Sequence, residues 1–313
     1  MHAEKANLRS ALPMFLMVFL PVALLVAALG AWYIHEHRNV VLERYQVEAR
    51  HHVEGQKNRV QRFYRQGVAV LLALARDKAI PSALTGDVMA RSGMAGVFSD
   101  SMRISVLYGQ IRLLNSAGQE IVRVDRRGDS PHVVPAGQLQ NKGRRDYVRQ
   151  ALALPAGTVH VSPFDLNMEH GKVQRPFKSV IRFATPIVDG NGVKNGVLVI
   201  NILGISIMQR ELSETVLEGE HLLINAGSSY WFDRHVDELH ILKDKDAFLN
   251  THELHDLLER ISNKGRGQIR VSEGQITFES MHSILTDVIL ASAAQPQWKI
   301  ISFIPAADLA TAS

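Results

Sequence analysis

The first pattern along the chain is an apolar run from Ala11 to Ile34, ALPMFLMVFLPVALLVAALGAWYI, 24 residues without a charge. A helix of that length crosses a hydrocarbon layer about 30 Å thick, so the run predicts a membrane-spanning helix. Trp32 and Tyr33 close it as interfacial anchors should, and Lys5 and Arg9 precede it, which fits an N-terminus on the cytoplasmic side. Ala28 and Gly30 offer small residues for a signal-peptidase cut, but the run exceeds the roughly 7 to 15 apolar residues of a secretory core. A retained anchor is the expectation, with a cleaved, secreted binding protein as the alternative.

After the span the period changes. From His35 to about Leu74 there is no proline, and Val40, Val47, Val53, Val60 and Val68 recur at intervals of seven, six, seven and eight. Such a drift predicts one long helix continuing out of the membrane. Its valine stripe serves either to pair with a second copy or to pack on the domain it leads into. Pro81 and Gly86 mark where the helix has already stopped.

Strand-like alternation follows. ISVLYGQIRLLNSAGQEIVRVD (104–125) is two β-rich runs about a Ser-Ala-Gly turn, and RRDYVRQALAL (144–154) is a helix ended by Pro155 and Gly157. Then come TVHVSPFDL, KSVIRFATPIVD and GVLVINILG, the last two separated by Gly190-Asn191-Gly192. One helix among five antiparallel strands predicts an α+β layer. The order recurs in shorter form, with a helix near 207–217, strands at HLLINAGSSYWF, a helix at NTHELHDLLERI (250–261), and strands at GQIRV, QITFESMHSI and WKIISFIP. The expected division is 1–35 for the cytoplasmic tail and span, 36–212 for the long helix and a first module, and 213–313 for a second.

Composition narrows the chemistry. The absence of cysteine excludes disulfides, thiolate zinc sites and a cysteine nucleophile, and it suits a bacterial periplasm. A formal charge of +4 is too small and scattered for a nucleic-acid partner. No P-loop, nucleophile elbow or dinucleotide fingerprint occurs. His252 opens an H-E-L triplet like the phosphoacceptor box of a sensor histidine kinase, but the R-T-P continuation is missing. On the helix Leu254, Leu257, Leu258 and Ile261 share one face, leaving His252 and His255 towards solvent and without a third metal ligand. DLNMEHGKVQRP (165–176) starts like a calcium loop with Asp165, Asn167 and Glu169, yet Pro176 stands where the bidentate Glu belongs. It is instead a polar hairpin tip. What remains is Arg145 and Tyr147 at a helix start, with Lys178 and Arg182 four apart on one strand face. Free helix N–H groups and guanidinium forks suit a small anion, although Arg182 can equally pair with Asp165 or Asp146.

Four ordered blocks, YGQIRLLNSAGQEIVRVD, LQNKGRRDYVRQAL, TVHVSPFDLNMEHGKVQRPFKSVIRFATPI and GVLVINILG, resemble the periplasmic double Cache (PDC-type) sensory domain of bacterial sensor histidine kinases and diguanylate cyclases. The resemblance covers about 100–305, and FLNTHELHDLLERI with QITFESM and WKIISFIPAADL is similar to its second module. It implies two tandem PAS-like (Cache) modules, the membrane-distal one holding a small-molecule signal. It also implies a single-pass protein of the bacterial inner membrane with most of its chain in the periplasm, and the valine stripe of the long helix makes a homodimer paired through that helix the expectation. Arg145 and Tyr147 match the R-x-Y element that lines such pockets, and Asp165, Lys178, Arg182 and Thr185 lie on strands that wall them. A carboxylate is the ligand class these groups suit. No cofactor, metal or catalysis by the chain itself is implied. Ser313 arrives where a second membrane helix and an output domain are expected. The chain therefore reads as the sensory part of a receptor, or alternatively as the N-terminal part of a truncated histidine kinase or diguanylate cyclase.

Overall fold

The computed structural model describes residues 2–162, 165–175, 178–204, 220–225, 230–231, 240–241, 260–261, 264–272, 274–280 and 298–306. Helix α1, His2–Leu74, is continuous over 73 residues, about 110 Å at 1.5 Å per residue. Within it Met17–His37 is fully exposed with a mean hydropathy of 2.2, the length and composition of a single membrane span. Asp77 stops the chain after α1 by accepting the Ala79 N–H at 2.8 Å. Pro81 then enters the first turn of α2, Ile80–Thr85, and Gly86 ends it with φ 113°. Asp87 caps α3, Val88–Ile104, by accepting from the N–H groups of Met89 and Ala90.

A larger sheet follows. It comprises β1 (Tyr108–Asn115), β2 (Glu120–Arg127), β3 (Ser130–Val133), β4 (His160–Val161) and β5 (Asp165–Leu166), and its two long strands β8 (Ser179–Val188) and β9 (Lys194–Leu203). The order is β3-β2-β1-β9-β8-β4, with β5 also on β8, and every pairing is antiparallel. The sheet has seven strands where the hydrophobic pattern predicts five, because β3 and the two-residue pieces are too short to show a period. Between β5 and β8, Met168–Glu169 (β6) and Lys172–Val173 (β7) form a separate hairpin. Helix α4 is Asp146–Ala153.

Alternation along these strands divides the sheet into two unlike faces. Ile111, Leu113, Val122, Val124, Phe183 and Ile200 meet α1 through Tyr64, Val68 and Leu71 and α3 through Met94 and Phe98. On the other face Leu114, Ala184, Val197 and Val199 pack on Tyr147, Val148 and Ala151 of α4. Val53, Val60 and Val68 are all buried in the first of these cores. Most of the valine stripe is thus spent on the chain's own domain, whereas Val47 stays 40% exposed.

The remaining strands form a smaller sheet from β10 (Glu220–Asn225), β13 (Arg266–Val271), β14 (Gly274–Ser280) and β15 (Trp298–Pro305), ordered β10-β15-β14-β13. β11 (Tyr230–Trp231) and β12 (His240–Ile241) pair with each other. The sheet binds α1 nearer the span than the first sheet does. Lys57 reaches Glu279 at 2.5 Å, Gln268 donates to the Gln46 carbonyl at 2.9 Å, and Ala49 packs on Ile304. The expected boundary near 213–220, the helix at 207–217, and His252 and His255 lie outside the described residues.

Candidate functional site

The α4 face of the larger sheet is apolar only where α4 lies on it. Further along the same strands Gln110 and Arg112 of β1, Arg123 and Asp125 of β2, Arg182 of β8 and Asn201 of β9 share that face. In register, Arg112 stands opposite Arg123, Gln110 opposite Asp125, and Asn201 opposite both Gln110 and Arg182. In an open antiparallel sheet this alternation would face water, yet Arg112, Arg123, Arg182 and Asn201 are each at most 5% exposed. The cover is the β6–β7 hairpin, whose two-residue turn holds His170 at φ 50° and Gly171 at φ 76°, the pair of positive φ values a type I′ turn requires.

Buried guanidiniums are tolerated only with partners. Asp125 grips Arg123 with two parallel bonds of 2.7 and 2.8 Å. The buried Glu120 carboxylate lies 3.6 Å from both Arg112 and Arg123 and accepts the Gln140 backbone N–H at 2.9 Å. Glu169, carried in by the hairpin, is held by six side chains. Its Oε1 accepts from Gln110 at 3.1 Å, Asn167 at 3.2 Å and Arg112 at 3.3 Å. Its Oε2 accepts from Gln140 at 2.8 Å, Arg123 at 3.1 Å and Lys142 at 3.3 Å. Burial alone would raise the Glu169 pKa, but Arg112, Arg123 and Lys142 outweigh it and hold the carboxyl well below its ordinary range. Burial, reinforced by Arg112, lowers the Lys142 ammonium against the opposing pull of Glu169 and Glu120. Lys142 is placed by a close approach of two turns: its backbone N–H bonds the Gly118 carbonyl at 2.7 Å, and a Cβ on Gly118 would lie 2.2 Å from the Gly143 Cα.

A cavity of about 270 Å³ opens beside this cluster, lined in part by Gln110, Arg123, Asn167, Lys178, Val180 and Asn201. Asn201 donates to Gln110 at 2.7 Å, while its own buried Oδ1 receives no hydrogen bond among the described residues. Lying at the cavity wall, that oxygen can accept from an N–H or O–H placed in the cavity.

Two antiparallel sheets thus pack on one long helix, and a charged cluster with a cavity beside it lies under the β6–β7 hairpin. The family model "Bacterial histidine kinase, sensor domain" matches residues 47–275. The chain belongs to this family of sensor domains. Solved structures agree in fold. The domain of a sensory box/GGDEF family protein from Vibrio parahaemolyticus matches with a TM-score of 0.67 and 17% identity over 88% of this chain and 99% of that one. The extracellular domain of the histidine kinase vpHK1S-Z8 matches at 0.65 and 18% over 90% and 95%. The ligand-binding domain of the Campylobacter jejuni chemoreceptor Tlp3, in complex with L-valine, matches at 0.59 and 13% over 87% and 97%. Comparison with curated proteins finds no match. The family comparison detects a sensor domain and no catalytic one.

Within this sensor domain the residues singled out from sequence fall in different places. Tyr147 is central: its hydroxyl accepts from Arg112 at 3.1 Å, and the Arg182 guanidinium sits 5.3 Å from its ring centroid. Arg182 also donates to the Leu166 carbonyl at 3.4 Å, while Asp146 pairs with Arg149 on the helix surface. Lys178 lines the cavity. Arg145, at the N-cap of α4, reaches the Met168 sulfur at 3.3 Å and so touches the hairpin from outside. Asp165 pairs through its backbone with Val180. Thr185 is not brought to the site: three positions after Arg182 on an alternating strand it takes the opposite face, and its hydroxyl donates to the Thr158 carbonyl at 2.8 Å. The centre of the cluster, Arg112, Glu120, Arg123, Lys142 and Glu169, is absent from the sequence-based set.

Proposed function

We propose that the chain is a membrane-anchored extracytoplasmic sensor whose ligand occupies the polar face of the larger sheet, between β1, β9 and the β6–β7 hairpin. The observation that carries the reading is the cavity in which Arg123 and Lys178 supply positive charge and the unsatisfied Asn201 Oδ1 asks for a donor. A small acid bearing a neighbouring N–H or O–H meets both demands. The fold neighbour from Campylobacter jejuni, which carries L-valine, supports amino acids as one class to try.

The larger sheet with residues 36–212 is the membrane-distal module, and 213–313 the membrane-proximal one. Support comes from α1, which meets the smaller sheet through Gln46 to Lys57 and the larger through Tyr64 to Leu71, further from the span. The chain catalyses nothing itself and relays occupancy to an output domain in a longer protein or a partner. It works as a homodimer in the bacterial inner membrane, with its bulk in the periplasm. Pairing uses the part of α1 before Ala49, since Val53, Val60 and Val68 are already covered.

The test is a thermal-shift screen of the full chain in detergent against amino acids, other organic acids and amines. A saturable rise confined to acids supports the site. A rise caused by amines alone would refute the charge argument.

A further inference from the structure

Glu169 is anomalous. The hairpin that carries it has only two residue pairs, and His170 to Val173 are exposed. So small a hairpin is barely stable alone. Its base is tied to the sheet through the Asn167 N–H, which bonds the Lys178 carbonyl at 2.7 Å, and through the Gln174 N–H, which bonds the Asn167 carbonyl at 2.9 Å. Beyond that base and besides Glu169, the described attachment is the sulfur contact of Met168 with Arg145, a bond from Lys142 to the Met168 carbonyl, and the bonds of Gln140 with His170. Yet its one inward carboxylate takes donors from three cations and three amides, three for each oxygen, as a bound acid would. Three of those donors, Gln110, Arg123 and Asn167, also wall the cavity. A ligand carboxylate entering there competes with Glu169 for the same N–H groups. Charge counting at the Glu169 position points to a single carboxylate there. Without Glu169, the cations that touched it, Arg112, Arg123 and Lys142, face the two remaining carboxylates of Glu120 and Asp125, which leaves one positive charge at that position, with Lys178 further along the cavity wall.

We propose that Glu169 is a tethered occupant of the ligand's own carboxylate position, and that a small monoanionic acid binds by exchanging with it and releasing the β6–β7 hairpin. The acid's second group, an N–H or O–H beside the carboxylate, bonds the free Asn201 Oδ1. Exchange makes the process nearly neutral in electrostatic energy, because one carboxylate replaces another. Affinity is set by the additional contacts, and the signal by the departure of the hairpin. The inference rests on the ligand-site reading of this face.

The experiment removes the tethered carboxylate and supplies a free one. The 313-residue chain carrying Glu169→Ala is melted in detergent with increasing sodium acetate, against sodium chloride of equal ionic strength and against acetamide. The expected result is a lowered melting temperature that acetate alone restores saturably, with acetate binding the variant at least tenfold more tightly than the wild type. No acetate-specific shift, or equal shifts in variant and wild type, overturns the proposal. If circular dichroism finds Glu169→Ala unfolded, Glu169→Gln is used instead: its uncharged amide is a weaker competitor for the same donors, and acetate is required to displace it and so to bind this variant more tightly than the wild type. Acetate fills the vacated position whatever the natural signal is, so a failed ligand screen with successful rescue counts only against the sensor reading. A screened ligand that binds wild type and variant equally leaves that reading intact and refutes exchange.

Discussion

Replacing Arg112 with methionine, close in volume and without charge, tests the cluster most directly. Arg112 is 1% exposed and touches Tyr147 at 3.1 Å, Glu169 at 3.3 Å and Glu120 at 3.6 Å. At an effective dielectric of about 20, a pair 3.6 Å apart is worth about 4–5 kcal/mol before desolvation is subtracted. Breaking one side of a buried pair costs about 3–5 kcal/mol, because the partner stays buried and uncompensated. Arg123 remains 3.6 Å from Glu120 and limits the damage, so the lower figure, about 3 kcal/mol, applies. For a domain of this size that is roughly 6–12 °C in melting temperature. The decisive assay is a double-mutant cycle by thermal unfolding of Arg112→Met, Glu120→Gln and their combination. Removing both partners should recover about 1–3 kcal/mol relative to the sum of the single changes. Additivity within about 0.5 kcal/mol would mean that the two groups do not act as a pair, and the electrostatic account of this face would fall with it.

Three further outcomes are expected. Arg145→Ala should enlarge the thermal shift caused by a carboxylate ligand, since the side chain holds at Met168 the hairpin that the ligand has to release; an unchanged shift would remove Arg145 from the site. His160, 7% exposed with an unbonded Nδ1, has its pKa pushed down by burial to about 4. The unfolded chain, with a histidine pKa of about 6.5, then takes up the proton first as pH falls. Stability should therefore decline between pH 6.5 and 4 by up to about 3 kcal/mol, and His160→Asn should flatten that limb of a melting-temperature profile. Glu169, depressed below the ordinary carboxylate range, adds its own loss at still lower pH, as protonation removes the charge that Arg112, Arg123 and Lys142 hold.

The difference between what was legible in the sequence and what was not follows the range of the interaction. Helix α1, the β1–β2 hairpin, α4 and the long strands β8 and β9 are written in local period and turn chemistry, and they stand where the pattern puts them. The partner of the valine stripe is not written there: spacing near seven suits a second helix or a sheet of the same chain, and only the folded chain sends Val53, Val60 and Val68 to its own core. The site divides in the same way. Arg182 is noticeable as the one charge in SVIRFATPIV, and the same test applied to VLVINILG points to Asn201, the one polar side chain in that otherwise apolar stretch of β9. Lone polar residues in doubly covered strands are expensive, and here both belong to the site. Gln110, Arg112, Arg123 and Asp125 escape that test because they alternate cleanly with Ile111, Leu113, Val122 and Val124, the mark of a solvent-facing side. Nothing local says that HGKV and its neighbours fold back over that side. A polar hairpin tip and a lid carrying a buried carboxylate have the same sequence signature, and the distinction lies in three cations contributed by β1, β2 and the loop before α4, 27 to 57 residues away along the chain. A charged, alternating strand in a sheet predicted to bear helices on both faces should therefore be read as the wall of a binding site before it is assigned to solvent.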